Sequence, residues 1–185
     1  MGTDDLAWRT LDSETDYTCP GFDVVRDDVE LPDGTRTDFH YVSESPSVVV
    51  LPFVSNGDVV VIREWRQAVG RLNYGLPAGG LEPDDDDVRT AARRELREET
   101  GYEAGAVEEI ATYEPSNGLF DSVFHYVVAH GCEPTGDQEL DDNESIAVET
   151  TTFDDLRERA AVGDLRDGRS ALAVLQHAVR TENRE

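Results

Sequence analysis

Lysine is missing from this chain of 185 residues, and all 16 of its basic residues are arginine. Basic character of any kind is scarce, because 41 acidic residues leave a formal net charge of −25. A surface of that sign argues against bare nucleic acid as a partner, since phosphate backbones are held by basic side chains, and against an anionic membrane for the same reason. Cysteine occurs only at Cys19 and Cys132, too few and too far apart for a zinc site or a disulfide framework. Long apolar runs are absent too: no stretch approaches the roughly 18 residues needed to span a bilayer. The start, MGTDDLAWRT, has neither a basic segment nor an apolar run. A cytoplasmic protein is expected.

Acidity without lysine is similar to the composition of proteins from salt-in halophiles. At molar salt the Debye length shrinks to about 3 Å, so dense carboxylates cease to repel one another strongly. Folding that depends on salt is the expectation.

The length suits about one domain with a small appendage. Residues 1–16 read as a polar, loosely docked lead-in. Phe22 to Val29 and Thr35 to Val42 read as strands joined by the Asp33-Gly34 turn, a hairpin. Ser47 to Val54 and Asp58 to Arg66 are dense in β-branched residues and read as buried strands. Arg71 to Leu76, Ala106 to Tyr113, Ser122 to His130 and Ser145 to Phe153 complete the strand pattern, with an acidic loop at Gly131 to Asn143. Helices are expected at Asp87 to Thr100, stopped by Gly101, and near Asp154 to Ala161 and Ser170 to Arg180. Val88, Ala92 and Leu96 form the apolar stripe of the first helix. This order of elements fits an α+β or α/β sandwich, divided as residues 1–45, the lead-in and hairpin, and 46–185, the main domain.

The first helix carries the chemistry. Glu95 shares a face with Glu98 and Glu99, and Arg94 can reach Glu98 one turn on. Three stacked carboxylates repel by roughly 0.2–0.5 kcal/mol per pair, a cost that is either tolerated or offset by a cation; Mg2+ is the natural candidate, since it takes carboxylate oxygens and is shared with substrate phosphates. The glycine turn Gly79-Gly80 that leads toward this helix can bring backbone close to an ion because it has no Cβ.

From Gly80 to Tyr102 the chain reads GLEPDDDDVRTAARRELREETGY, which resembles the Nudix hydrolase signature G-x5-E-x7-R-E-U-x-E-E-x-G-U, U being a bulky apolar residue. Arg94, Glu95, Leu96, Glu98, Glu99, Gly101 and Tyr102 fall on its positions; Asp86 stands where the first glutamate belongs. The resemblance implies a Nudix fold, an α/β/α sandwich. It implies a Mg2+ site, with Mn2+ as a substitute ion, made by the Gly79 carbonyl, Glu95, Glu98 and Glu99, with Arg94 orienting Glu98. The run REWRQAVGRLNYGLPAGG is similar to the ADP-ribose and ADP-sugar pyrophosphatases of that family, although Gly75 replaces a glutamate common there. The activity implied is hydrolysis of the diphosphate bond of ADP-ribose or a related nucleoside diphosphate sugar.

Among those relatives a loop after the box often supplies the base. LDDNESIAV, Leu140 to Val148, resembles it and makes Glu144 the candidate base or extra ligand, with Asp142 nearby. Arg63, Arg66 and Arg71 are candidates to hold the diphosphate, and surface pairing with acids is the equal alternative. Phe120, beside the Pro115 to Gly118 turn, is a candidate for the sugar pocket. Trp65 and Tyr74 could stack on adenine, with core packing the preferred reading of Trp65. The hairpin is similar to an element used for dimer contacts in relatives, so a homodimer is expected. Two other functions share these features: a dinucleoside polyphosphate or oxidised-nucleotide hydrolase, and a non-catalytic ADP-ribose-binding regulator.

Overall fold

The structure, a computed structural model, describes residues 3–183; residues 1 and 2 of the expected lead-in lie outside the described residues. Two compact units are present: residues 1–45 with 114–123, and residues 46–113 with 124–185.

The first unit is a three-stranded antiparallel sheet of β1 (Arg9–Cys19), β2 (Phe22–Glu30) and β3 (Arg36–Ser43), with β2 in the centre. Most of the lead-in is therefore not loose, because β1 pairs with β2 from Arg9↔Glu30 to Cys19↔Phe22. Its side chains stay almost entirely exposed, so backbone pairing builds a strand that leaves no hydrophobic alternation in the sequence. Ion pairs from Arg9 to Glu30 (2.7 Å) and from Arg26 to Glu14 and Asp16 tie it across the sheet. The β2–β3 turn is where Asp33-Gly34 predicts it, with Gly34 at φ 83°. Residues 114–123 join this unit through the Val42↔Phe120 bridge and a Ser43 to Asp121 hydrogen bond of 2.7 Å.

The second unit is built on β4 (Ser47–Val54), which pairs in parallel with β10 (Phe124–Pro134) and antiparallel with β5 (Asp58–Arg66) and β7 (Ala78–Gly80). On β5 lie β6 (Arg71–Gly75) and β11 (Ile146–Thr152), and β8 (Tyr102–Glu103) and β9 (Ala106–Tyr113) pair with β10. Alternation along β4 splits the core in two. Val49 and Leu51 pack with α2 (Phe153–Val162) and α3 (Gly168–Glu182) through Leu156, Ala160, Ala173 and Val174. Val48 and Val50 pack with α1 (Val88–Thr100) through Ala91, Ala92 and Leu96. Helices on both faces of this mixed sheet give the expected sandwich. The long acidic loop is shorter than expected: Gly131, at φ 62°, forms a bulge that lets β10 run on to Pro134.

α1 positions the site and is well delimited. Asp87 caps its first turn by accepting the Thr90 N–H at 2.8 Å. Gly101, at φ 73°, ends it with its N–H on the Arg97 carbonyl. Among the described residues no helix is long and apolar enough to cross a membrane.

Candidate active site

Gly79 and Glu95 adjoin in the site. A Cβ at Gly79 would overlap the Glu95 carboxyl group, the movable end of that side chain, so the glycine gives the carboxyl its place beside β7. One residue earlier, the Ala78 N–H donates to Glu99 Oε2 at 2.9 Å. Glu95 and Glu99 are 8 % and 3 % exposed, which is rare for carboxylates.

Arg94 organises the cluster. Its Nη1 donates to Glu95 Oε1 at 2.8 Å and Glu98 Oε2 at 3.0 Å, and its Nη2 to the Gly80 carbonyl at 2.8 Å and Asp85 Oδ2 at 2.9 Å. Burial works against the Arg94 charge, but hydrogen bonds with Asp85, Glu95 and Glu98 outweigh it and drive its pKa up. The reciprocal effect holds the Asp85 carboxyl below its ordinary value. Asp85 is thus the aspartate of the Asp84 to Asp87 run that grips Arg94, and Asp86, which occupies the signature position, is exposed. Which of the four consecutive aspartates bonds Arg94 is not visible in the sequence.

Burial pushes the Glu95 carboxyl up to about 7; Arg94 opposes the shift, while Glu98 and Glu144 add to it. Glu99 is pushed up to about 8, first by burial, against the Ala78 N–H, with Glu95, Glu144 and Glu64 contributing. Glu144 is therefore within electrostatic reach of both. It lies in a turn where its N–H donates to the Asp141 carbonyl and its Oε2 accepts the Asp141 N–H, each at 3.0 Å.

Among the described residues no three His, Cys, Asp or Glu side chains are drawn together as a finished metal cage; Glu95 and Glu98 are turned onto Arg94 instead. The donor chemistry nevertheless fits a hard cation: carboxylate oxygens, two of them on desolvated side chains with raised pKa, packed against a glycine whose missing Cβ leaves room.

Strand alternation separates the candidate arginines. Arg66 lies on the Glu64 side of β5 and donates to Glu64 Oε2 at 2.7 Å, while its buried Nε has no hydrogen-bond partner among the described residues. Arg63 is on the opposite side, paired with Glu149 at 2.6 Å, and lines a shallow pocket of about 370 Å³ with Leu72 and Leu140. Arg71 is bonded to Asn73 at 3.0 Å. Trp65 is 48 % exposed and bonds Gln67, which overturns its reading as a core residue: the face that buries Val59 and Val61 has lost its cover by Arg63. Tyr74 packs at the core edge under Arg159. Phe120 belongs to the first unit, at its bridge with Val42.

Two features escaped the sequence. Glu64 is 7 % exposed, and burial raises its pKa; its signal was the alternation Val60, Ile62, Glu64. The space over Gly75 is filled by Asp167 and Ser170, at the start of α3. A Cβ there would stand 2.7 Å from Ser170 Oγ and 3.0 Å from Asp167 Oδ2, and Ser170 Oγ donates to Asp167 and accepts the Leu76 N–H.

A sandwich of helices around a mixed sheet, with a glycine turn set against a helix bearing Arg94, Glu95, Glu98 and Glu99, defines a hydrolase of the Nudix class. The NUDIX domain family model matches residues 44–170, and the chain belongs to that family as a Nudix-type pyrophosphohydrolase. It is 29 % identical to the ADP-ribose pyrophosphatase of Bacillus subtilis over 170 residues, 91 % of each chain. It is 30 % identical to the methanol dehydrogenase activator of Bacillus methanolicus over 167 residues, 90 % of each. A crystal structure described as an ADP compounds hydrolase superimposes with a TM-score of 0.82 at 22 % identity, covering 96 % of this chain and 95 % of that one.

Proposed function

We propose that this enzyme hydrolyses the diphosphate bond of ADP-ribose, or of a closely related nucleoside diphosphate sugar, to a nucleoside monophosphate and a sugar phosphate. The observation that carries the proposal is the pair of buried carboxylates, Glu95 against Gly79 and Glu99 on the Ala78 N–H, with Glu144 within electrostatic reach. The names of the relatives support the choice of substrate. The Gly79 carbonyl, Glu95, Glu98 and Glu99 would hold Mg2+, or Mn2+ in its place. A divalent ion there supplies charge neutralisation on the phosphoryl oxygens and a water of lowered pKa.

The protein's own groups do the rest. Arg94 fixes Glu95 and Glu98 by charge-assisted bonds. Arg66, ion-paired with Glu64, carries a positive charge suited to a phosphate oxygen. Glu144 takes the proton of the attacking water as its oxygen bonds to phosphorus. The bridging P–O bond breaks, and its electron pair leaves with the departing phosphate.

Incubation with ADP-ribose and Mg2+ in molar KCl, with products resolved by chromatography, is expected to yield AMP and ribose 5-phosphate. Turnover of dinucleoside polyphosphates or oxidised nucleotides in preference to every nucleoside diphosphate sugar would overturn the substrate. Binding of ADP-ribose without turnover would instead make the protein a regulator.

The metal-free protein should also report the buried carboxyls. Glu95 and Glu99 hold a proton up to about 7 and about 8 when folded, against an ordinary 4.5. Their contribution therefore favours folding fully below about 4.5 and is lost as pH rises to about 8. In EDTA the thermal midpoint is expected to fall between pH 5.5 and pH 8.5, and saturating Mg2+ to flatten that slope. Equal slopes with and without the ion would refute the assignment.

A further inference from the structure

Gln138 stands between the metal-box helix and the strand that follows Glu144. Its Nε2 donates to the Glu99 carbonyl at 2.6 Å and to the Ile146 carbonyl at 3.3 Å. Two acceptors for the two hydrogens of one amide nitrogen is a complete use of that group. The first acceptor is the backbone of a carboxylate at the centre of the site. The second opens β11, two residues beyond Glu144, where Ile146 is paired with Glu64 on β5.

The neighbouring contacts run the same way. The last carbonyls of a helix have no partner within it, and here the segment after β10 provides them. The Glu139 N–H donates to the Glu98 carbonyl at 2.8 Å, and the Thr135 and Gly136 N–H groups donate to the Gly101 carbonyl at 2.9 and 3.3 Å. Arg97 adds an ion pair to Glu139 at 2.7 Å. These contacts fasten the segment to α1 only. Gln138 alone among them also holds the far side of the Asp141 to Glu144 turn, at Ile146.

We propose that Gln138 is a positioning residue for catalysis: by bracing the end of α1 against the start of β11, its amide sets the position of the turn that carries Glu144 relative to α1. The inference rests on the reading of Glu144 as the base. Glutamate at position 138 would be the wrong group, because an ionised carboxylate offers both carbonyls only lone pairs.

Gln138→Met keeps the length of the side chain and removes both donors; Gln138→Ala is the second variant should the first fold poorly, and circular dichroism establishes folding for each. With ADP-ribose and Mg2+, kcat is expected to fall by about tenfold to a hundredfold, the scale of an ångström's misplacement, while KM stays within about threefold. A residue that merely stabilised the fold would leave kcat per folded molecule unchanged. On a Glu144→Gln background the Gln138 change should cost almost nothing more, since the two act through one group. Wild-type kcat in the folded Gln138 variants beside a crippled Glu144→Gln removes the brace and leaves the base intact. Full activity of Glu144→Gln alone removes the base and the brace together. A full additional loss in the double variant shows that Gln138 acts through another residue, which also overturns the inference.

Discussion

Glu99→Gln is expected to lower kcat at saturating Mg2+ by several hundredfold while leaving the protein folded. The side chain is 3 % exposed and accepts the Ala78 N–H. An amide of the same shape keeps an oxygen for that bond and removes only the charge. A charge held in so dry a place serves no purpose in folding; burial raises its pKa to about 8, so the metal-free variant should be at least as heat-stable as the parent near pH 8. What is lost is the attraction for a divalent ion. A loss of about 4 kcal/mol in the transition state corresponds to nearly a thousandfold in rate. Steady-state kinetics across a Mg2+ titration, beside a melting curve, makes the check. Turnover within about threefold of the parent would mean that Glu99 is not a ligand.

Removal of salt should have the second large effect, and the first unit should register it first. With a net charge of −25, self-repulsion is screened over about 3 Å at molar salt but extends to about 30 Å at 10 mM. The three-stranded sheet concentrates the problem. Asp12 is directly opposite Asp28, and Asp28 directly opposite Asp38, so three aspartates form a row across β1, β2 and β3. Like charges at directly paired positions destabilise a sheet by up to roughly 1 kcal/mol each. The Arg9, Arg26 and Arg36 ion pairs offset this only in part, because exposed pairs contribute little. Dialysis from molar KCl to millimolar buffer is expected to abolish the folded circular dichroism signal. Hydrogen exchange at intermediate salt should rise in β1–β3 before the buried strands β4 and β10. An unchanged spectrum at millimolar salt refutes the expectation.

The helix of the site was legible because its geometry is local. Residues three and four apart must share a face, so Arg94, Glu95, Glu98 and Glu99 adjoin in any α-helix they form, and Gly101 and the Asp87 cap mark where it stops and starts. The β-branched runs of β4 and β5 were legible for a similar reason: strands covered on both faces must be apolar throughout. β1 was hidden because its side chains face water and its order comes from pairing with β2. Trp65 was misread because its apolar neighbours are covered by helices that end short of it, a fact of packing rather than of composition.

The sequence by itself determined that Arg94 and the box glutamates share one helix face, since residues a turn apart must adjoin, and the order of its elements fitted a sandwich; the family came from the resemblance of that segment to the Nudix signature. Only the tertiary structure decided that Asp85 rather than Asp86 grips Arg94, that Asp167 and Ser170 fill the space over Gly75, and that Gln138 spans from Glu99 to Ile146. Those choices depend on groups that meet across chain separations of eight to nearly a hundred residues. No local preference encodes them; they follow from which surfaces the core brings face to face.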